Sequence, residues 1–228
     1  MANRTDSSQR RGESLSRDRI IEASIEILDT GGEGGLTFRA LSEKLATGPG
    51  AIYWHVANKN DLLVAACDVI VARTMQACMA KASPEDTIRA IALGMFDAMN
   101  AHPWVGSALV QASGQLPGVR IVEGLGQSLR ALGVPDAAQW PTVSALLNYI
   151  LGVGGQNAAN TQFAIARGLE RSSFLHATST TWSQLDADAY PFTRSMAAQL
   201  PAHDDRADFM AGIEIFLSGV KSSGARSH

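Results

Sequence analysis

Leu36-Thr37-Phe38-Arg39-Ala40-Leu41-Ser42-Glu43-Lys44-Leu45-Ala46-Thr47-Gly48-Pro49-Gly50-Ala51-Ile52-Tyr53-Trp54-His55-Val56-Ala57-Asn58-Lys59-Asn60-Asp61-Leu62-Leu63 is the stretch on which the reading of this chain turns. Its residues describe two short helices joined by a tight turn, then the start of a third. Thr37 can cap the first helix, because its hydroxyl can accept a backbone N–H of the opening turn. Leu41 and Leu45 fall four apart on one face, with Arg39 and Lys44 pointing elsewhere. The run Ala46 to Gly50 breaks the helix: Gly48 can take the backbone angles of a turn, and Pro49 suits the first position of a new helix. The next helix is very short, Ala51 to His55, and Asn58 caps a longer one that begins at Lys59.

A helix of that length has no stability of its own and must be held by neighbours. Tyr53 and Trp54 are then either packing residues of a small helical core, since aromatic side chains dominate burial, or part of a helix-turn-helix whose second helix enters the DNA major groove. Generic spacing does not separate the two. The particular residues do more. A Leu36-Thr37 opening, a helix ending at Leu45-Ala46, a turn of small residues and Ile52-Tyr53-Trp54-His55-Val56 followed by Lys59 and Leu62-Leu63 resemble the DNA-binding domain of the TetR family of transcriptional regulators. Tyr53 to Leu63 is especially similar to the tetracycline-repressor pattern. Ala46 stands where a turn glycine is usual in that pattern, and Gly48 where a capping Ser or Glu is common. Pro49-Gly50-Ala51 offers almost no side chain where relatives often contact bases.

The resemblance implies an all-α fold: an N-terminal three-helix helix-turn-helix domain followed by a C-terminal helical ligand-binding and dimerisation domain. The expected divisions are a flexible arm over 1–15, the DNA-binding domain over 16–62, the helical domain over 63–220 and a tail over 221–228. The implied partners are a double-stranded DNA operator, a small-molecule effector and a second copy of the chain, with no membrane. The implied function is a ligand-responsive regulator, most often a repressor. The last helix and the helix of Leu146 to Arg167 are expected to pair with their copies in a four-helix interface.

Each candidate on the DNA side has a physical role. Arg39 can pair with a guanine edge or a phosphate, and the resemblance implies a base. Thr37 and Tyr53 carry hydroxyls that can bond phosphate oxygens. Lys59 opens a helix, where its charge and the free backbone N–H groups together favour a phosphate. Trp54 and His55 can pack on sugar or backbone, Ala51 can touch a thymine methyl, and Pro49 and Gly50 stand at the same groove-facing positions. Lys44 reads as a solvated charge.

Composition fits without deciding. The chain has 228 residues, 46% hydrophobic and 18% charged, with a net charge of −3, an ordinary soluble globular balance. The overall charge shows no basic signature, yet a nucleic-acid binder need be basic on one face only. Met1 to Ile20 holds five arginines against three acids, while acids gather on the first helix at Glu22, Glu26 and Asp29. Arg10 and Arg11 in the arm can lie along phosphates or reach a minor groove. Abundant Ala and Gly, with more Arg than Lys, suit a GC-rich bacterial source. No apolar leader opens the chain and no apolar run reaches the roughly 18 residues a membrane span needs. Cys67 and Cys78 fall on one helix about 16 Å apart, beyond disulfide reach; free buried thiols in a reducing cytoplasm are the simple reading.

Ser16 can cap the first helix, which is expected to run to Gly31, where Gly31-Gly32-Glu33-Gly34-Gly35 reads as a stop and turn. Helical periodicity continues along the rest. The helix from Lys59 is expected to run to about Lys81, and Ser83-Pro84-Glu85 to start another that ends near Asn100. Further helices are expected over Trp104 to Ala112, Val119 to Leu132 and Pro135 to Arg167. Gly152, Gly154 and Gly155 in the last of these predict a kink or a close helix-helix approach. Gly168 to Ala189 is the least readable part and reads as partly loop. Pro191 to Leu200 and Asp204 to Val220 read as helices, with a frayed tail from Ser222.

None of the five histidines sits in a metal-binding spacing, and no nucleophile elbow is present. No cofactor or metal is expected, nor an enzyme. Phe96, Met99 and Trp104 belong to an aromatic and Met-rich C-terminal part and are candidate ligand contacts. Asn148, Gln156 and Asn160 form a polar row on one helix face, with Asn157 beside it. Uncharged amides in an apolar setting need partners: a ligand, a facing helix or a twin chain. The reading from a different class is a small-molecule-binding or protein-interaction protein whose helix-turn-helix is vestigial, supported by the small residues at Pro49, Gly50 and Ala51.

Overall fold

Short polar side chains set where the first helices begin. Ser16 Oγ accepts from Arg19 N, Thr37 Oγ1 from Ala40 N, Asn58 Oδ1 from Asp61 N and Ser83 Oγ from Asp86 N, at 3.0 to 3.3 Å. Each removes one of the unsatisfied donors of an opening turn. The computed structural model describes residues 15–78, 83–112 and 114–224, and no strand occurs among them.

The N-terminal helices are α1 (Arg17–Gly35), α2 (Phe38–Leu45), α3 (Pro49–Tyr53) and α4 (Lys59–Cys78). Helical geometry leaves α1 at Gly32, where φ is 59° and ψ is −167°, a combination open essentially to glycine alone. The expected stop at Gly31 is therefore a break, followed by a last turn to Gly35. Pro49 takes the first position of α3, as expected, and the helix ends at Tyr53, two residues before the end of the Ala51 to His55 span read from the sequence. Ile20, Leu28, Leu36, Leu41, Ile52 and Leu62 bury the apolar faces of these helices in one core. Helix α4, about 30 Å long at 1.5 Å per residue, carries that core on into the rest of the molecule.

The C-terminal body is α5 (Pro84–Ala101), α6 (Val105–Gln111), α7 (Leu116–Ala131), α8 (Asp136–Ala166) and α11 (Asp205–Gly224). Ile88, Ile91, Met95, Ile121, Leu125, Leu146 and Ile150 are buried between α5, α7 and α8, and Phe209, Ile213 and Leu217 bring α11 onto them. Helix α8 is unbroken through its glycines. A Cβ on Gly154 would overlap Met99 Cε and stand 3.7 Å from Phe96 Cα, so the glycine serves a close helix approach rather than a kink. At Gly212 of α11 a Cβ would overlap the hydroxyl end of Tyr149, whose Oη donates to Phe209 O at 3.0 Å.

Between α8 and α11 lie α9 (Arg171–Ser183), α10 (Pro191–Met196) and a 3-10 segment (Ala197–Ala202). The stretch expected to be partly loop thus contains a helix. Leu175 is its buried residue, and Ser179 Oγ donates to Ala197 O at 2.7 Å. Helix α11 continues to Gly224, past the point where the tail was expected to fray. The arm expected over 1–15 lies almost wholly outside the described residues.

Candidate nucleic-acid interface and effector cleft

The turn between α2 and α3 is closed by Ala46, in the left-handed region with φ 50° and ψ 45°. Ala46 N donates to Glu43 O and Thr47 N to Ser42 O, satisfying carbonyls at the end of α2. Ile52 is the fully buried pin of α3. Tyr53 stacks on Phe38 of α2 with ring centroids 4.3 Å apart, so one face of its ring is covered while the residue stays 55% exposed. Trp54 is 90% exposed. Pro49 and Gly50 are exposed, and Ala51 and His55 are half-buried.

Two cations next to this ridge are already engaged. Arg39 Nε donates to Glu43 Oε1 at 2.9 Å, and that bond and charge raise the guanidinium pKa further. Lys59 Nζ donates to the carbonyl of Glu33, on the far side of the α1 break. Thr37 is exposed, but its Oγ1 is used as the cap of α2. Lys44 departs from the solvated reading: its Nζ pairs with Glu26 at 2.5 Å and clamps α2 to α1.

A polar seam that the sequence did not announce joins the head to the body. Asp29 Oδ1 accepts from Trp104 Nε1 at 2.7 Å, and His102 Nδ1 stands 2.7 Å from the same oxygen. Four residues on, across Gly32, the Glu33 carboxylate accepts from Ser107 Oγ at 2.6 Å and Gln111 Nε2 at 3.1 Å. Further back, Arg120 of α7 makes two bonds to Asp68 of α4. Cys67 and Cys78 are free and buried; desolvation pushes the Cys67 thiol up to about 12.

The candidate ligand residues divide. Phe96, Met99 and Trp104 are buried, and Trp104 is committed to Asp29. Asn148 is exposed and its amide donates to Ser144 O of its own helix at 2.8 Å. Gln156 and Asn160 line a recess of about 270 Å³ with Tyr149, His203 and Asp208. A second recess of about 530 Å³ reaches Phe96, Asn100 and Arg206. A third of about 210 Å³ reaches Leu169, Phe174 and Leu175. All three share Asn157 and Asp205, so they form one cleft among α8, the 3-10 segment and the starts of α9 and α11. The structure brings Gln156, Asn160 and the edge of Phe96 to this cleft, and leaves Met99, Trp104 and Asn148 out of it. Asn157 Nδ2 donates to Asn100 Oδ1 at 2.7 Å, which ties the floor to α5.

A helix-turn-helix with an exposed aromatic ridge, braced on a long helix that enters a second helical unit, defines a two-part DNA-binding regulator. Comparison with known proteins agrees. Residues 20–66 match the family described as bacterial regulatory proteins, tetR family. The structure of a transcriptional regulator described as a TetR from Streptomyces coelicolor is 50% identical, covers 92% of this chain and 99% of its own, and superposes with a TM-score of 0.83. The class D tetracycline repressor of Escherichia coli is 44% identical over 59 residues, 26% of this chain and 27% of its own length. BioQ, in a structure with its natural double-stranded DNA operator, is 30% identical over 67% of this chain and 93% of its own, with a TM-score of 0.55. The chain belongs to the TetR family of bacterial transcriptional regulators.

Proposed function

We propose that this regulator is an operator-binding repressor, acting in the cytoplasm as a homodimer and released from DNA by a small molecule held in its C-terminal body. It has the DNA-binding unit over 16–62 and the effector and dimer unit over 63–220. The observation that carries the reading is the exposure of Trp54 beside a Tyr53 braced by Phe38. An indole so bare on a helix pinned by buried Ile52 is an unmet contact surface rather than a core residue. In this reading Pro49, Gly50 and Ala51 let the α3 backbone approach the base edges. Tyr53, Trp54 and His55 bear on sugar and phosphate, and Arg39 reads a base. Lys59 exchanges the Glu33 carbonyl for a phosphate. That BioQ, a similar structure, is solved with its double-stranded DNA operator supports duplex DNA as the partner.

The second copy is expected on the outer faces of α8 and α11. There Trp140 and Ile215 are exposed beside an apolar groove of about 400 Å³ lined by Val134, Ala138, Ala145, Phe216 and Val220. The effector is assigned to the cleft of Gln156, Asn157 and Asn160, where few polar groups converge on apolar walls. A regulator is favoured over an enzyme because the relatives that span most of this chain are described as transcriptional regulators. A vestigial helix-turn-helix would leave the exposed Trp54 without a purpose.

The test is selection of duplexes from a random pool by the full chain, followed by fluorescence anisotropy. Enriched, near-palindromic duplexes that lose at least tenfold in affinity with Arg39→Ala and Trp54→Ala support the reading; each good base contact is worth about 1–3 kcal/mol. No enrichment, or enrichment indifferent to both substitutions, would sink it.

A further inference from the structure

We propose that Glu43 is a positioning residue for operator reading: it holds the Arg39 guanidinium by Nε so that the terminal Nη1 and Nη2 groups face a guanine. This rests on the operator-binding reading above. The bond runs from Arg39 Nε to Glu43 Oε1 at 2.9 Å, with the two side chains 89% and 66% exposed. No other partner of Arg39 occurs among the described residues, so the Nη1 and Nη2 groups are free. Two amino groups side by side are the fork that matches guanine O6 and N7.

Stability does not account for the pair. Along a helix the favourable order at this spacing puts the acid N-terminal to the base, and here it is reversed. Arg39 lies in the first turn of α2 and Glu43 near its end, so both charges oppose the helix dipole. An exposed pair of this kind contributes little in any case. A carboxylate beside a surface that meets phosphates also repels the partner. What the arrangement does supply is geometry: a flexible arginine is ordered before DNA arrives, and less side-chain entropy is lost on binding. The need for it follows from α3. Pro49, Gly50 and Ala51 carry no hydrogen-bonding side chain and Ile52 is buried, so direct reading of base edges by hydrogen bonds falls to α2. Arg39 is the long donor there, and its direction is set by Glu43.

The experiment compares the full chain with Glu43→Gln, Glu43→Ala and Arg39→Ala. Each selects duplexes from the same random pool. Affinities are then measured for the best wild-type duplex and for copies changed at one base pair at a time. The glutamine keeps an oxygen that accepts from Nε but drops the charge; the alanine drops both. At the guanine position that Arg39→Ala ceases to distinguish, wild type and Glu43→Gln are expected to discriminate about tenfold or more. Glu43→Ala should fall to within about threefold of no preference. Both Glu43 variants should bind unrelated duplex more tightly by a similar factor, because one repulsive charge is gone. A merely structural role would lower affinity at every position alike, and circular dichroism melts would report it. Wild-type discrimination retained in Glu43→Ala overturns the proposal, as does equal loss in the alanine and glutamine variants. If the wild-type chain enriches no duplex, the operator reading has failed and this inference falls with it.

Discussion

Helices α2 and α9 differ in nearly everything that holds a helix in place. The shorter one, eight residues, is capped by Thr37, buries Leu41 and Ser42, and ends on a left-handed Ala46. The longer one, thirteen residues, follows Glu170, which gives it no side-chain cap, and buries Leu175 alone. Its Thr178, Thr180 and Thr181 hydroxyls turn back onto carbonyls of their own helix, a habit that does nothing for packing. Phe174 on it is exposed, as are Phe163 and Leu169 before it in the chain. Length does not decide which helix is secure; neighbours do. The head carries its supports within itself, whereas the α9 region leaves apolar surface that one chain does not cover.

The sharpest way to test that contrast is to cut one buried residue from each region. Ile52→Ala should lower stability by about 2–4 kcal/mol and free α3, with DNA binding lost as well. Leu175→Ala should cost less than half as much, because its surroundings can relax into the gap. Urea denaturation of both variants measures the ratio, and equal losses would erase the distinction. Next come the helix starts. Thr37→Ala is expected to cost about 1 kcal/mol, while Glu170→Ala should stay within about 0.5 kcal/mol of wild type, both read from thermal midpoints. A smaller gain is expected from Ala46→Gly. A left-handed alanine carries strain of roughly 1–2 kcal/mol, and the flexibility of glycine returns part of it, leaving up to about 1 kcal/mol. A loss there would mean that the turn is held by more than backbone angles.

The smallest effect concerns α11, which closes the body below α9. Hydrogen bonds from Arg89 hold the Glu214 carboxyl below its ordinary pKa. A depressed folded pKa gives stability that is complete above the unfolded value near 4.3 and is lost as pH falls through the folded one. Wild type and Arg89→Gln should therefore differ slightly at pH 6 and converge as pH falls past the unfolded value and through the depressed folded one. The groups are partly exposed, so added salt should shrink the difference. Denaturation midpoints at three pH values would show it; a gap that widened in acid would contradict the sign.

How much was readable follows the same division. The caps at Ser16, Thr37, Asn58 and Ser83 are local signals, and the structure uses all four as the sequence suggested. The break near Gly31 and the close approach at Gly154 were also visible, because glycine marks both. Pro49 was legible as the opening residue of α3, but the span was placed two residues late, at Ala51 to His55, since Gly50 was counted with the turn. Helix α9 was obscure because its apolar residues make no inward stripe. The amide row of Gln156, Asn157 and Asn160 could be put on a face of α8, but the opposite wall of that cleft comes from 203–209, some fifty residues away in the chain. The seam was hidden for a related reason. Asp29 and Glu33 look like solvated acids until partners more than seventy residues distant are brought to them.

That seam makes the junction a joint with little play. Hydrogen bonds hold over only a few tenths of an ångström and a narrow cone of angles. Trp104, Ser107 and Gln111 grip the acids on both sides of Gly32, so a slide of α6 cannot be taken up as slack. It must either drag the end of α1 along or snap the grip, and in both events the tilt of the Tyr53 and Trp54 ridge is dictated from within the body.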